Sequence, residues 1–156
     1  MSLRARAGLL IASGLLVFSV GACSGSASQD PQDIARQNVC AALGNLASSL
    51  LQLQGVDVQA IGPENLAPQI NNILSSWGTL QTTLTAFAAS SPEAPDAAAV
   101  EAVKTTGLAL EAALQAIDKE APTQEQVDAA KAAAQEFSVA YQAAFGELSC
   151  GPTPTQ

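Results

Sequence analysis

Leu66-Ala67-Pro68-Gln69-Ile70-Asn71-Asn72-Ile73-Leu74-Ser75-Ser76-Trp77-Gly78-Thr79-Leu80-Gln81-Thr82-Thr83-Leu84-Thr85-Ala86-Phe87 is the stretch on which the fold turns. Its large stripe residues, Leu66, Ile70, Ile73, Trp77, Leu80, Leu84 and Phe87, recur at spacings of four and three in strict alternation. That rhythm lays one apolar seam along one face of an α-helix, whereas a strand alternates every second residue. A seam of this kind packs knobs into holes against other helices. Reading outward, the same spacing recurs upstream at Val39, Leu43, Leu46, Leu50 and Leu53. Downstream it recurs at Val100, Val103, Gly107, Leu110, Leu114 and Ile117, and again at Val127, Ala130, Ala134, Phe137, Tyr141, Ala144 and Leu148.

The breaks between stripes are equally legible. Gly55 to Pro63 separates the first two segments, and Pro63 or Pro68 suits a first helical turn, where a missing N–H costs nothing. Ser90-Ser91-Pro92-Glu93-Ala94-Pro95-Asp96 separates the second and third. Pro122 precedes Thr123-Gln124-Glu125-Gln126, the pattern of a capping box, and Gly151-Pro152 ends the last segment. Short connections favour antiparallel neighbours. The predicted fold is therefore all-α, an antiparallel up-down-up-down four-helix bundle over residues 33–150, with a frayed tail at 151–156.

The N-terminus carries an address. Arg4 and Arg6 precede an apolar run from Gly8 to Val20, about 13 residues, too short for a span of about 20. Val20-Gly21-Ala22-Cys23 follows. This resembles the lipobox of bacterial lipoproteins: an aliphatic residue, two small residues, then an obligatory cysteine. The resemblance implies a signal peptide over 1–22 that is removed, and a diacylglyceryl group, with acyl chains such as palmitate, on Cys23. It implies anchorage to the outer face of the cell membrane, in the cell envelope. Two or more acyl chains, each buried methylene contributing about 0.8 kcal/mol, make such an anchor stable. Residues 23–32, with Ser24-Gly25-Ser26-Ala27-Ser28, read as the lipidated cysteine and a flexible tether. The Ala-rich, Lys-poor composition is similar to that of lipoproteins from high-GC Gram-positive bacteria.

Removal of 1–22 leaves four basic residues, Arg36, Lys104, Lys119 and Lys131, against all fourteen acidic ones, a side-chain charge of −10. A surface so acidic repels nucleic acid and anionic headgroups. With Cys23 lipidated, Cys40 and Cys150 remain, and two thiols in an exported domain most often pair. Cys40 lies about a turn into the first helix and Cys150 just past the last, so a bridge would close the bundle where its termini meet. The alternatives are two unrelated buried thiols or a redox pair, the latter disfavoured because no Cys-x-x-Cys spacing is present.

Chemistry is sparse. The sequence holds no histidine, and its single methionine is Met1. That removes the commonest general base and metal ligand. No calcium loop, P-loop or dinucleotide fingerprint occurs. The reading is of a non-enzyme with no metal and no cofactor. Glu101 with Lys104, and Asp128 with Lys131, are spaced as surface ion pairs worth a few tenths of a kcal/mol.

Two functional classes remain. One is a protein-interaction or structural module working on an envelope partner. The other is a carrier or sensor of a hydrophobic, lipid-like ligand held between helices. Small seam residues, Gly107, Ala130, Ala134 and Ala144, favour close packing and hence the first. Leu51 and Leu74 lie beside their stripes and either widen the core face or line a groove. Trp77 and Tyr141 lie on seams, and Phe145 lies off its stripe, filling a wider core face or standing exposed as a contact. These five residues are the candidate ligand or partner surface. A carrier requires a pocket of several hundred Å³ lined by Leu, Ile and aromatics, and an interaction module a filled core with an exposed apolar patch.

Overall fold

Asp30 starts the first helix: its carboxylate accepts the Gln32 N–H at 2.9 Å, and Pro31, which has no N–H to satisfy, takes the first helical position. In the computed structural model, which describes residues 30–90 and 97–151, this helix, α1, runs Pro31–Gln54. A single turn, α2, covers Val58–Ile61; then come α3, Pro63–Ser90, α4, Ala97–Gln115, and α5, Gln124–Glu147. The described residues are all-helical, without strands. The expected signal peptide at 1–22, Cys23 and the expected tether up to residue 29, the break at 91–96 and all but the first residue of the expected tail at 151–156 lie outside them. Among the described residues no helix is long and apolar enough to cross a membrane.

Two boundaries differ from expectation. α1 opens at Pro31, inside the stretch assigned to the tether, because the Asp30 cap and Pro31 nucleate the helix before the apolar stripe begins. Cys40 is accordingly more than two turns into α1 rather than about one. The break at 55–63 contains α2, which is too short to show periodicity: Asp57 caps it by accepting the Gln59 N–H at 2.9 Å, and Gly62 ends it at φ 75°. A side chain at Gly62 would both adopt the left-handed region and meet the Glu64 carboxylate. Pro63 begins α3, while Pro68 sits inside it.

α1 packs along α3 and α4 along α5, with sparser contact between α3 and α4 and between α1 and α5. The stripe residues of all four long helices are buried in one core. Gln32 Nε2 donates to the Ser90 carbonyl at 3.2 Å, joining the start of α1 to the end of α3. Lys131 Nζ donates to the Val56 carbonyl at 2.6 Å, and the Gln124 side-chain oxygen accepts the Val58 N–H at 3.2 Å, joining the start of α5 to the corner after α1. The capping box forms as the sequence suggests. Its Gln126 also donates to the Ala116 carbonyl at 3.1 Å and accepts the Asp118 N–H at 3.4 Å, so one side chain ties the α4–α5 turn together. Cys40 and Cys150 are disulfide-bonded, with Cα atoms 5.4 Å apart and a sequence separation of 110.

Between α1 and α3 lies one polar cluster in an otherwise apolar seam. The Ser49 hydroxyl is 3.3 Å from that of Ser76 and donates to the Asn45 carbonyl at 3.1 Å, and Asn72 Nδ2 donates to it at 3.5 Å. On the other side of α3, Trp77 enters the core. Its six-membered ring occupies the space a side chain at Gly107 would need: a Cβ there would overlap Cη2, Cζ3 and Cζ2. Its ring meets Phe137 of α5 edge-on, centroids 6.1 Å apart at 82°. Its Nε1 donates to Glu111 Oε2 at 2.8 Å, so the buried indole leaves no polar atom unmatched.

Gly107→Ala tests the notch. In an ordinary helix interior this change stabilises by about 1 kcal/mol. Here it should destabilise by about 1–3 kcal/mol through overpacking, read by urea unfolding and by a shift in the fluorescence of Trp77, the chain's single tryptophan. Replacing Cys40 and Cys150 with Ser should lower stability by up to about 4.7 kcal/mol, the chain-entropy value for a loop near this length, without loss of helix in far-UV circular dichroism.

Candidate functional site

On the flank where α3 meets α4, the sparser contact leaves an open depression of about 310 Å³ lined by Trp77, Gln81 and Thr85 of α3 and by Lys104 and Leu108 of α4. A shallower depression of about 460 Å³ continues along α3, lined by Gln81, Thr82, Thr85, Ala86 and Ala89. Gln81 and Thr85 line both, so the two form one groove.

Three side chains converge on one carboxylate beside this groove. Glu111 accepts from Trp77, from Gln81 Nε2 at 3.5 Å and, through its other oxygen, from Gln115 Nε2 at 3.0 Å. The threonines spend their donors on their own helix: Thr82 donates to the Gly78 carbonyl at 3.0 Å and Thr85 to the Gln81 carbonyl at 2.8 Å. Lys104 is the groove's cation and pairs with Glu101 at 3.9 Å. Leu108 is 55% exposed and gives the groove an apolar edge. Such a surface can bind by contact and desolvation; it brings together no nucleophile with a base. Among the described residues no cluster of three His, Cys, Asp or Glu side chains is placed to hold a metal ion. Asp118, in the α4–α5 turn, is fully exposed, and N–H groups of Glu120 and Ala121 donating to it hold its carboxyl below the usual aspartate value; this is a turn lock remote from the groove's lining.

The residues singled out from sequence scatter across the fold. Trp77 is core, with its edge at the groove. Tyr141, on its seam, and Phe145, for which a wider core face was one of two readings, are both buried, ring centroids 5.4 Å apart. Phe145 is covered because the α5 core face is wide enough to take in Ala140 and Phe145 as well as the regular stripe. Leu74 is half-buried against the core and Leu51 is 46% exposed on α1. Neither lines the α3–α4 groove. Cys23 lies outside the described residues.

Sequence reasoning passed over Leu108, Gln81, Thr82, Thr85, Ala86 and Ala89, and read Lys104 only as half of a surface ion pair. A usable signal was present for the first: Leu108 is the large apolar residue of α4 that falls off the stripe Val100, Val103, Gly107, Leu110, Leu114. The others follow only from how α3 and α4 are set against each other. Compared with profiles of known protein families, with curated proteins and with solved structures, the chain has no match.

The Tyr141 hydroxyl is buried without a hydrogen-bond partner, and burial raises its pKa above the ordinary value of 10.0. In the unfolded chain the phenol loses its proton at its ordinary value; in the folded chain it holds it longer. Above about pH 10 the unfolded state therefore binds fewer protons, and stability falls as pH rises toward the folded-state value. Below that window the group contributes no pH dependence. Tyr141→Phe should remove this alkaline component and be neutral or stabilising by about 1 kcal/mol at pH 7, since it deletes an unsatisfied polar atom. Because Tyr141 is the only tyrosine, its phenolate absorbance isolates the titration. Ionisation near pH 10 with the helix intact would show instead that the hydroxyl is solvated.

Proposed function

We propose that the protein is a lipid-anchored lipoprotein of the cell envelope, acting as a non-enzymatic protein-interaction or structural module built on an up-down-up-down four-helix bundle. The end-to-end ties support the topology. The start of α1 meets the end of α3, the start of α5 meets the corner after α1, and Cys40 meets Cys150. α1, α3, α4 and α5 alternate in direction under that reading, with α2 a corner turn. The export signal, the Val20-Gly21-Ala22-Cys23 lipobox and an oxidised cysteine pair agree on an extracytoplasmic site.

The observation that carries the interaction reading over the carrier reading is the close packing around Trp77. Trp77 occupies the space opposite Gly107, Phe137 abuts it, and the groove beside them is open and mixed in character. A lipid carrier calls for a chamber walled by Leu, Ile and aromatic side chains. The groove's lining holds Leu108 and the edge of Trp77 among Gln81, Thr85 and Lys104. An open mixed surface suits a protein partner.

Cys23→Ala in the producing cell should abolish incorporation of an alkyne-tagged palmitate and move the protein out of the membrane fraction. Retention in the membrane with the label lost would assign anchorage to the apolar run at 8–20. Native mass spectrometry of the exported Cys23→Ala protein separates the two functional classes. A bare mass is the expected result, and a bound mass lost on denaturation would turn the assignment to a carrier.

A further inference from the structure

Charge is spread unevenly over the long helices. No Asp, Glu, Lys or Arg occurs between Arg36 and Asp57, nor between Glu64 and Ser90. α1 beyond its second turn and α3 beyond its first are therefore uncharged. The charges of the described residues lie on α4, α5, their turn, the corner after α1 and the starts of α1 and α3. A solvated helix flank ordinarily carries charge, and its depletion is the compositional mark of an interface centre.

Ile34, Asn38, Ala41, Asn45, Ser48 and Gln52 form an exposed row on α1, away from its core stripe. Asn72, Ser75, Thr79, Thr82 and Ala86 form the matching row on α3. The Gln32–Ser90 and Ser49–Ser76 contacts set the rows side by side, Asn45 about level with Thr79. The Ser48, Thr79 and Thr82 hydroxyls donate to the Gly44, Ser75 and Gly78 carbonyls at 2.9, 3.1 and 3.0 Å, so they keep only acceptor capacity for a neighbour. The side-chain amides of Asn38, Asn45 and Gln52 bond to no other group among the described residues and offer donors. Gly44 and Gly78 lie beside these rows in mid-helix, although a Cβ at either would meet nothing within 4 Å. Each glycine costs its helix about 0.5–1 kcal/mol relative to alanine, a cost that packing inside the chain does not explain.

We propose that the α1–α3 face pairs with the same face of a second copy, a two-fold axis laying α1 of each across α3 of the other. A two-fold interface sets a patch against itself. In a chain of side-chain charge −10 after residue 22, a patch on α4 or α5 would bring carboxylates together, and this one brings none. Turned on itself, it also sets the amide donors of α1 over the spent hydroxyls of α3, so one sequence supplies both halves. A charged partner would find no counter-charge here, and an apolar one little beyond Ile34. The face is about 27 Å long from Ile34 to Gln52 and about 20 Å across two helices, roughly 540 Å² in projection, the low end for a specific interface. Such pairing is weak between free chains and gains where lipid anchors concentrate copies on one surface. The proposal names a partner for the interaction reading and rests on it. Thr82 and Ala86 also line the shallow end of the groove, so the face adjoins it and leaves the Leu108 edge exposed.

In-cell photo-cross-linking of the full chain tests this. A benzophenone amino acid replaces Asn45 on the face, or Val139, which is 72% exposed on α5, as the control site. The expected result is an adduct of twice the chain's mass from position 45 alone, its linked segment mapping by mass spectrometry to α3 of the second copy. Thr79→Glu in the same chain should cut that adduct at least about tenfold by burying a carboxylate without a partner, with Trp77 fluorescence unchanged as proof of folding. Thr105→Glu, which adds the same charge at an exposed position of α4, should leave it unchanged. A self-adduct that maps to α4 or α5, survives Thr79→Glu or falls equally with Thr105→Glu would overturn the proposal, as would an adduct from 45 to lipid or glycan, or none. An adduct from 45 to a different protein would overturn self-pairing and leave the interaction reading standing; absence of protein adducts at both positions would count against both.

Discussion

The seating of Trp77 against Gly107 is the constraint on which the assembly depends. α1 and α3 form one closely packed pair and α4 and α5 another, and contact between the pairs is sparser. One indole bridges them: it leaves α3, fills the space over Gly107 on α4, and presents its face or edge to Phe137 on α5. Burying an aromatic of this size removes some 150–250 Å² from water, a gain on the order of 4–6 kcal/mol before the entropy of ordering is subtracted. Only a residue without a side chain leaves room for it, so the glycine's cost in helix propensity is offset at that point. The Glu111 carboxylate completes the arrangement by accepting the indole N–H.

The opposite flank is held differently. The Cys40–Cys150 bridge fixes α1 to the chain just past α5, where noncovalent contact is again sparse. Indole and disulfide thus secure the two weaker junctions, one by shape and the other by a covalent bond. The groove is what the first junction leaves over: α3 and α4 touch through the tryptophan and diverge enough beside it to leave Leu108 half in solvent.

Much of this could be read from the chain. The 4-3 alternation from Leu66 to Phe87 marks α3 almost to its ends, and Thr123 with Gln126 announces α5. Cysteine count and the expectation of export led to the bridge. What escaped was information about register between helices. Gly107 was legible as a small seam residue, but that Trp77 fills it depends on how α3 and α4 are set against each other. Phe145 was undecidable because a seam two residues wide and one three residues wide share the same stripe. α2 is a single capped turn, below the length at which periodicity exists. The groove lining was hidden because Gln81, Thr85 and Lys104 are ordinary surface residues until two helices place them side by side.

The Ser49–Ser76–Asn72 cluster carries a consequence for how this sequence chooses one arrangement. Seams of aliphatic residues discriminate weakly between registers: sliding α1 by a heptad against α3 would again put apolar side chains against apolar side chains. Sliding would also part the buried Ser49 hydroxyl from Ser76 and Asn72, leaving it, of its present partners, only the Asn45 carbonyl of its own helix. The cluster acts as an index mark, adding little to the depth of the native well while raising the floor of its nearest competitors. The same logic extends to synthesis, where α1 can meet α3 before Cys150 has been made. The mark is available then and the bridge is not, so the covalent bond records an alignment already chosen by three small polar side chains.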